Sequence, residues 1–175
     1  MKVNKNLRKS ILFLTRAALI AALYAVIAYL SSPLQFWFFQ FRLSEALCVL
    51  AVFMPEAVVG TALGCLIANY ITGCIVWDII FGTVATLLGS LGAYLLGRIL
   101  KGRMLWLTTV PTILSNTLLI PFVIVYAYGS EGSLLLFAFT VLVSEVICAG
   151  VLGTLLVTRL KKIPYFATRR SFTEK

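Results

Sequence analysis

The chain has 175 residues, 61% of them hydrophobic and only 12% charged, with a mean hydropathy of +1.03 and a net charge of +9. An ordinary soluble domain is about 45–50% apolar and about 25% charged, so this composition excludes a water-soluble globule and requires several membrane spans. The basic residues cluster beside apolar runs, as in cytoplasmic loops, rather than forming a nucleic-acid surface.

Residues 1–10 are polar and carry Lys2, Lys5, Arg8 and Lys9. A basic start before an apolar run fits a signal peptide, but more membrane follows instead of a soluble mature domain. Residues 11–30 are the first expected span, with Arg16 early enough to snorkel to the surface. Within it Ala17, Ala21 and Ala25, and also Ala18 and Ala22, recur every four residues. This smooth stripe suits close helix packing, against either an internal neighbour or a partner protein.

Residues 31–41 break the helix at Pro33 and gather aromatic rings, Phe36, Trp37 and Phe39 among them. They suit an interfacial belt or a lid over a flat ligand. The segment Gln40-Phe41-Arg42-Leu43-Ser44-Glu45-Ala46-Leu47 then interrupts the hydrocarbon. Arg42 and Glu45 are three apart and share one helical face. A charge in the bilayer interior costs about 2.5–3.5 kcal/mol on insertion scales. Arg42 and Glu45 therefore either line a cavity or pair with each other near a helix end. Residues 42–54 form a short second expected span, closed by Pro55 and Glu56, with Glu56 placed for the N-terminus of the next helix.

A third helix is expected over 57–70, with a GxxxG face at Gly60 and Gly64 and with Asn69 near its far end. After a short loop, Asp78 opens a fourth, where its carboxylate either caps the helix or joins a site. Gly82, Thr86 and Ser90 make a further small-residue face. The fifth span, 104–126, should kink at Pro111 and Pro121, with Asn116 between them. A polar turn at 128–132 leads to the sixth, 133–158, where Glu145 sits deep in the apolar run. An ionisable group at that depth is a site candidate by default, or else a structural hydrogen bond to a neighbouring helix. Six spans place both termini in the cytoplasm. Of the 15 Lys and Arg residues, Arg42 alone then falls on the outer side. Glu45, Asn69 and Asp78 approach the outer surface, above Asn116 and Glu145, as a funnel beneath the aromatic loop.

Absent histidine excludes Ser-His and Cys-His nucleophile pairs, and no GxxxxGK[ST] loop is present. Cys48, Cys65, Cys74 and Cys148 form no CxxC and suit reduced apolar fillers rather than metal ligands. A membrane enzyme using Mg²⁺ needs clustered carboxylates, and Glu45, Asp78, Glu131 and Glu145 have no such spacing. An assembly subunit leaves Glu145 without a role. A stand-alone secondary transporter needs an inverted repeat, which is not visible.

The basic start, the alanine stripe, six short helices and a loop over a cavity resemble the substrate-binding S components of energy-coupling-factor (ECF) transporters. Phe41-Arg42-Leu43-Ser44-Glu45-Ala46-Leu47 resembles the FRxSEAL-like segment of the QueT family. So does Asp78-Ile79-Ile80-Phe81-Gly82-Thr83-Val84-Ala85-Thr86-Leu87-Leu88, and so does Ser144-Glu145 followed by Gly150 and Gly153. The proline-rich turn after the family's second span is present in part, as Met54-Pro55-Glu56. The resemblance implies an all-α bundle of six transmembrane helices spanning 1–175 as one unit, with 1–10 and 160–175 cytoplasmic. It implies a multi-pass cell-membrane protein that is not an enzyme and carries no cofactor or metal. It also implies a substrate class, the 7-deazaguanine precursors of queuosine, or another vitamin or nucleobase on the same scaffold. The implied partners are a membrane-embedded coupling protein and two ATPase subunits, docked on Ala17, Ala18, Ala21, Ala22 and Ala25. Within that picture a carboxylate can accept two donors of the purine edge at once, and this role is assigned to Glu145. Glu45 or Asp78 meets an aminomethyl group, Asn69 and Asn116 meet the carbonyl, Phe36, Trp37 and Phe39 stack on the ring, and Arg42 lines the same cavity.

Overall fold

The computed structural model describes residues 5–35, 40–100 and 104–166. The expected stacking rings Phe36, Trp37 and Phe39 lie outside the described residues. Every regular element among the described residues is helical. Helix α1 spans Lys5–Leu30, and α2 is a single turn, Ser32–Gln35. A 3-10 helix, Leu43–Val52, leads to α3 (Glu56–Ile71) and α4 (Val76–Ile99). The fifth rod joins a 3-10 turn, Leu105–Thr109, to α5 (Val110–Phe122) and a π-helical turn, Val123–Ala127. The sixth joins α6 (Leu134–Glu145), a π-helical stretch Val146–Leu152 and α7 (Gly153–Leu160).

Four of these rods, not the expected six, are long and apolar enough to cross a bilayer: Asn6–Leu30, Val76–Ile99, Leu105–Ala127 and Leu134–Leu160. Length explains the difference. The hydrocarbon layer is about 30 Å thick, whereas 16 residues of α3 rise only about 24 Å. Ten residues of 3-10 helix rise about 20 Å. Hydropathy reads the 43–52 stretch as a span because it is interior on nearly every side, with Ser44, Glu45 and residues 47–52 all buried. Its apolar residues meet protein rather than lipid. They pack with Ile20, Tyr24 and Ala28 of α1, Cys65 and Ala68 of α3, Ala93 of α4 and Val157 of α7. The long rods instead turn large apolar side chains away from the bundle, among them Leu19, Leu88, Leu118 and Leu155.

Helices α1 and α3 pack through small residues. A Cβ placed on Gly60 would stand 2.8 Å from the Ala17 carbonyl, and one on Gly64 would stand 2.6 Å from Tyr24 Cβ and 2.9 Å from the Ala21 carbonyl. The alanine stripe is thereby divided. Ala17 and Ala21 are buried and Ala25 is half-buried, so the expected docking role of Ala17 and Ala21 is corrected to an internal contact with α3. Only Ala18 and Ala22 remain exposed. Gly64→Val should lower stability by about 1–3 kcal/mol, the usual cost of overpacking. Thermal unfolding in detergent checks this; an unchanged midpoint would show that α1 and α3 can part freely. Arg16 closes the same interface by pairing with Glu56 at 3.1 Å, in the first turn of α3. There the helix dipole also favours the carboxylate.

The two prolines act differently. Pro111 sits in the first turn of α5, directly after the 3-10 turn, where a missing N–H is harmless. Pro121 lies inside the helix, and the backbone widens to the π-helical turn directly after it.

Candidate functional site

Glu45 is completely buried on the 3-10 helix. Its Oε1 accepts hydrogen bonds from the Tyr24 hydroxyl of α1 at 2.6 Å and from Thr86 Oγ1 of α4 at 2.7 Å. Its Oε2 takes the Cys48 thiol at 3.2 Å. Three elements thus meet on one carboxylate whose two oxygens are both engaged. The face read as packing surface, Gly82, Thr86 and Ser90, supplies one of these donors. Tyr24 gave no sequence signal beyond its place beside the alanine stripe.

Arg42 does not pair with Glu45, despite the three-residue spacing. Its Nη2 instead reaches α4 and bonds Asp78 Oδ1 at 3.2 Å, with both residues buried. The other oxygen, Asp78 Oδ2, accepts from the Tyr128 hydroxyl at 3.1 Å. Helix α4 starts at Val76 with Ile75 as its cap, so the carboxylate of Asp78 is spent on tertiary partners and the capping role is not taken up. Asn69 supports the same corner by donating Nδ2 to the Asp78 carbonyl at 3.3 Å. Tyr128 belongs to the polar turn after rod five, where Gly129 (φ 65°) and Gly132 (φ 159°) reverse the chain. Burial, and then the Asp78 carboxylate, push its phenol above the ordinary tyrosine range, so it stays a donor at neutral pH. Burial raises the Cys74 thiol as well.

These groups enclose a polar pocket of about 260 Å³ lined by Gln40, Arg42, Cys74, Asp78, Ile124, Tyr128 and Ser130. Of the residues expected from sequence, Arg42 and Asp78 line it directly. Asn69 braces it from behind, and Glu45, Asn116 and Glu145 lie in the buried interior. Asn116, eight residues before Ile124 on the same rod, sits about 12 Å deeper by helix rise. Glu145 lies within electrostatic reach of both Glu45 and Arg42. Cys148, one turn beyond Glu145, is buried as well.

Buried polar groups are nearly always partnered, so each exception calls for an explanation. Among the described residues, Arg42 Nη1, Asn116 Oδ1 and Glu145 Oε2 are buried without a hydrogen-bond partner, as are the hydroxyls of Thr83, Thr112 and Thr117. Asn116 spends its amide nitrogen on the Thr112 carbonyl at 3.2 Å, which leaves the oxygen unmatched. The first three atoms present one donor and two acceptors. They come from three elements: the residue capping the 3-10 helix, α5 and α6.

A second hollow of about 430 Å³ lies between α4 and rod five, lined by Trp77, Phe81, Leu119, Phe122, Val123, Tyr126 and Ala127. It is larger but almost wholly apolar, with Trp77 stacked on Phe81 and Phe122 on Tyr126. Ligand sites need a few placed polar groups to fix orientation, and the smaller pocket has them.

Apolar rods of membrane-spanning length, a polar pocket lined by Arg42 and Asp78, and buried polar atoms without partners among the described residues fit a membrane protein of the transport class. A family model described as QueT transporter matches residues 14–162, and the chain belongs to that family. The family is one of transporters, not enzymes. No curated protein and no solved structure matches the chain.

Proposed function

We propose that the chain is the substrate-binding S component of an ECF-type importer and that it takes up 7-deazaguanine precursors of queuosine. The observation that carries this reading is the buried set of one donor and two acceptors left open at Arg42, Asn116 and Glu145. The pairing edge of a guanine-type base offers the complement: a carbonyl acceptor beside two N–H donors. Glu145 Oε2 and Asn116 Oδ1 take the donors in this reading. Asn116 therefore meets the donor edge rather than the carbonyl, because its oxygen is the unfilled atom. Asp78 is the carboxylate nearer an aminomethyl substituent, since it lines the pocket. Glu45, outside the pocket lining and bonded to Tyr24, Thr86 and Cys48, is a structural junction, and Asn69 is a brace. Phe36, Trp37 and Phe39 remain the stacking rings, a contact of about 1–3 kcal/mol by analogy with base stacking.

The whole chain works as one multi-pass unit in the cell membrane with both termini cytoplasmic, so the pocket opens outward. A coupling protein and two ATPase subunits supply the energy. The exposed Ala18 and Ala22 are the part of the stripe left for that contact. Mass spectrometry of small molecules co-purifying with the protein tests the substrate assignment: a 7-deazaguanine is expected, and a different vitamin recovered in its place would redirect it. Uptake by cells should also require the ATPase module, and uptake without it would contradict the importer role.

A further inference from the structure

Gly82 lies one turn along α4 from Asp78, where two side chains from other elements cross the helix. A Cβ built on Gly82 would stand 2.8 Å from Asn69 Nδ2, 3.4 Å from Arg42 Nη1 and 3.5 Å from Arg42 Nη2. Both terminal nitrogens of the guanidinium therefore rest against bare backbone. Asp78 Oδ1 holds Nη2 at 3.2 Å. That single tie leaves Nη1, in a residue only 8% exposed that lines the polar pocket, with no partner among the described residues. An ion pair with Asp78 accounts for one nitrogen and not for the other. Arginine presents its donors in a rigid fork, so anchoring Nη2 fixes where Nη1 stands.

We propose that Arg42 Nη1 is the donor that reads an acceptor on the ligand, the ring carbonyl of the heterocycle, and that Gly82 is the positioning residue that sets its depth in the pocket. This rests on the 7-deazaguanine reading above and adds the carbonyl contact to it. An alanine Cβ at Gly82 would meet the guanidinium at the edge of ordinary contact, but the two further methyl groups of a valine would push both it and the Asn69 amide off α4. The acceptor then meets a displaced donor, while the groups on α5 and α6 that take the ligand's N–H donors are untouched.

The test is calorimetric titration of the full-length protein with two ligands, 7-deazaguanine and its 6-thio analogue. The analogue keeps both N–H donors and replaces the carbonyl oxygen with sulfur, a poorer acceptor. Wild type should prefer the oxo ligand by about tenfold or more, since a donor built into a site penalises a ligand that cannot fill it. In Gly82→Val the oxo affinity should fall by about tenfold and the thio affinity by less than about twofold, so that the preference collapses. Arg42→Lys keeps the charge facing Asp78 but removes the fork. It should collapse the preference in the same way, and it decides the matter where Gly82→Val does not fold. Equal losses for both ligands, or an unchanged ratio, would overturn the assignment of Arg42 and Gly82 while leaving the substrate class standing. Wild-type protein that binds neither compound would overturn the substrate class itself, and this assignment with it.

Discussion

Glu145→Gln is expected to abolish high-affinity binding of a 7-deazaguanine while the protein stays folded. The exchange conserves size and shape. It removes an acceptor that has no partner among the described residues, so no internal bond through Oε2 is lost. It also turns an NH₂ group toward ligand N–H groups, setting donor against donor. Sites built on hydrogen bonds reject a mismatched group by as much as about 10⁴-fold, and at least about 100-fold is expected here. Titration calorimetry gives the affinity, and a melting curve of the same preparation gives the fold. Unchanged affinity would remove Glu145 from the site.

Glu45→Ala should have the opposite signature. It strips the common acceptor from Tyr24, Thr86 and Cys48, leaving two hydroxyls and a thiol buried where α1, α4 and the 3-10 helix meet. Hydrogen bonds to a charged group contribute about 1.5–3 kcal/mol each, and an unfilled buried donor costs about 1–3 kcal/mol. A loss of about 3–5 kcal/mol in stability follows, comparable to breaking a buried ion pair. Glu45→Gln should lose less, because its carbonyl oxygen still accepts from Tyr24 and Thr86. Thermal unfolding in detergent measures both variants. A normal melting point combined with lost ligand binding would return Glu45 to the ligand.

The helical class, the order of the elements and the unusual placement of charge at Arg42 and Glu45 were all legible in the sequence, because they depend on hydropathy and on charge placed where charge is costly. The number of spans was not. An apolar run records exclusion from water, and the interior of a bundle excludes water as well as lipid does. Only length separates the two cases, and Leu43–Val52 and Glu56–Ile71 are short by that measure. Partner choice was legible only where it is local. The three-residue spacing favoured Arg42 with Glu45, yet the partners found are Asp78 for one and Tyr24 and Thr86 for the other. Those pairings are set by how the 3-10 helix lies across α1 and α4, which periodicity does not encode. The alanine stripe shows the same limit from the other side. Its fourfold spacing marked a packing face, and the GxxxG face of α3 was marked too, but nothing local joined the two. Asp78 was recognised as polar at a helix start; its choice of Arg42 and Tyr128 over the helix amides is again a long-range matter.

The most direct test of the central claim is a titration of the purified wild-type chain with the aminomethyl 7-deazaguanine, read by calorimetry and by the rise in melting temperature. Saturable binding at one ligand per chain is expected, with a dissociation constant at or below about 1 µM, equivalent to about 8 kcal/mol of binding free energy. Absence of both heat and thermal stabilisation up to about 1 mM, where binding would be worth only about 4 kcal/mol, would contradict the claim that the pocket bounded by Arg42, Asp78 and Tyr128 receives this heterocycle.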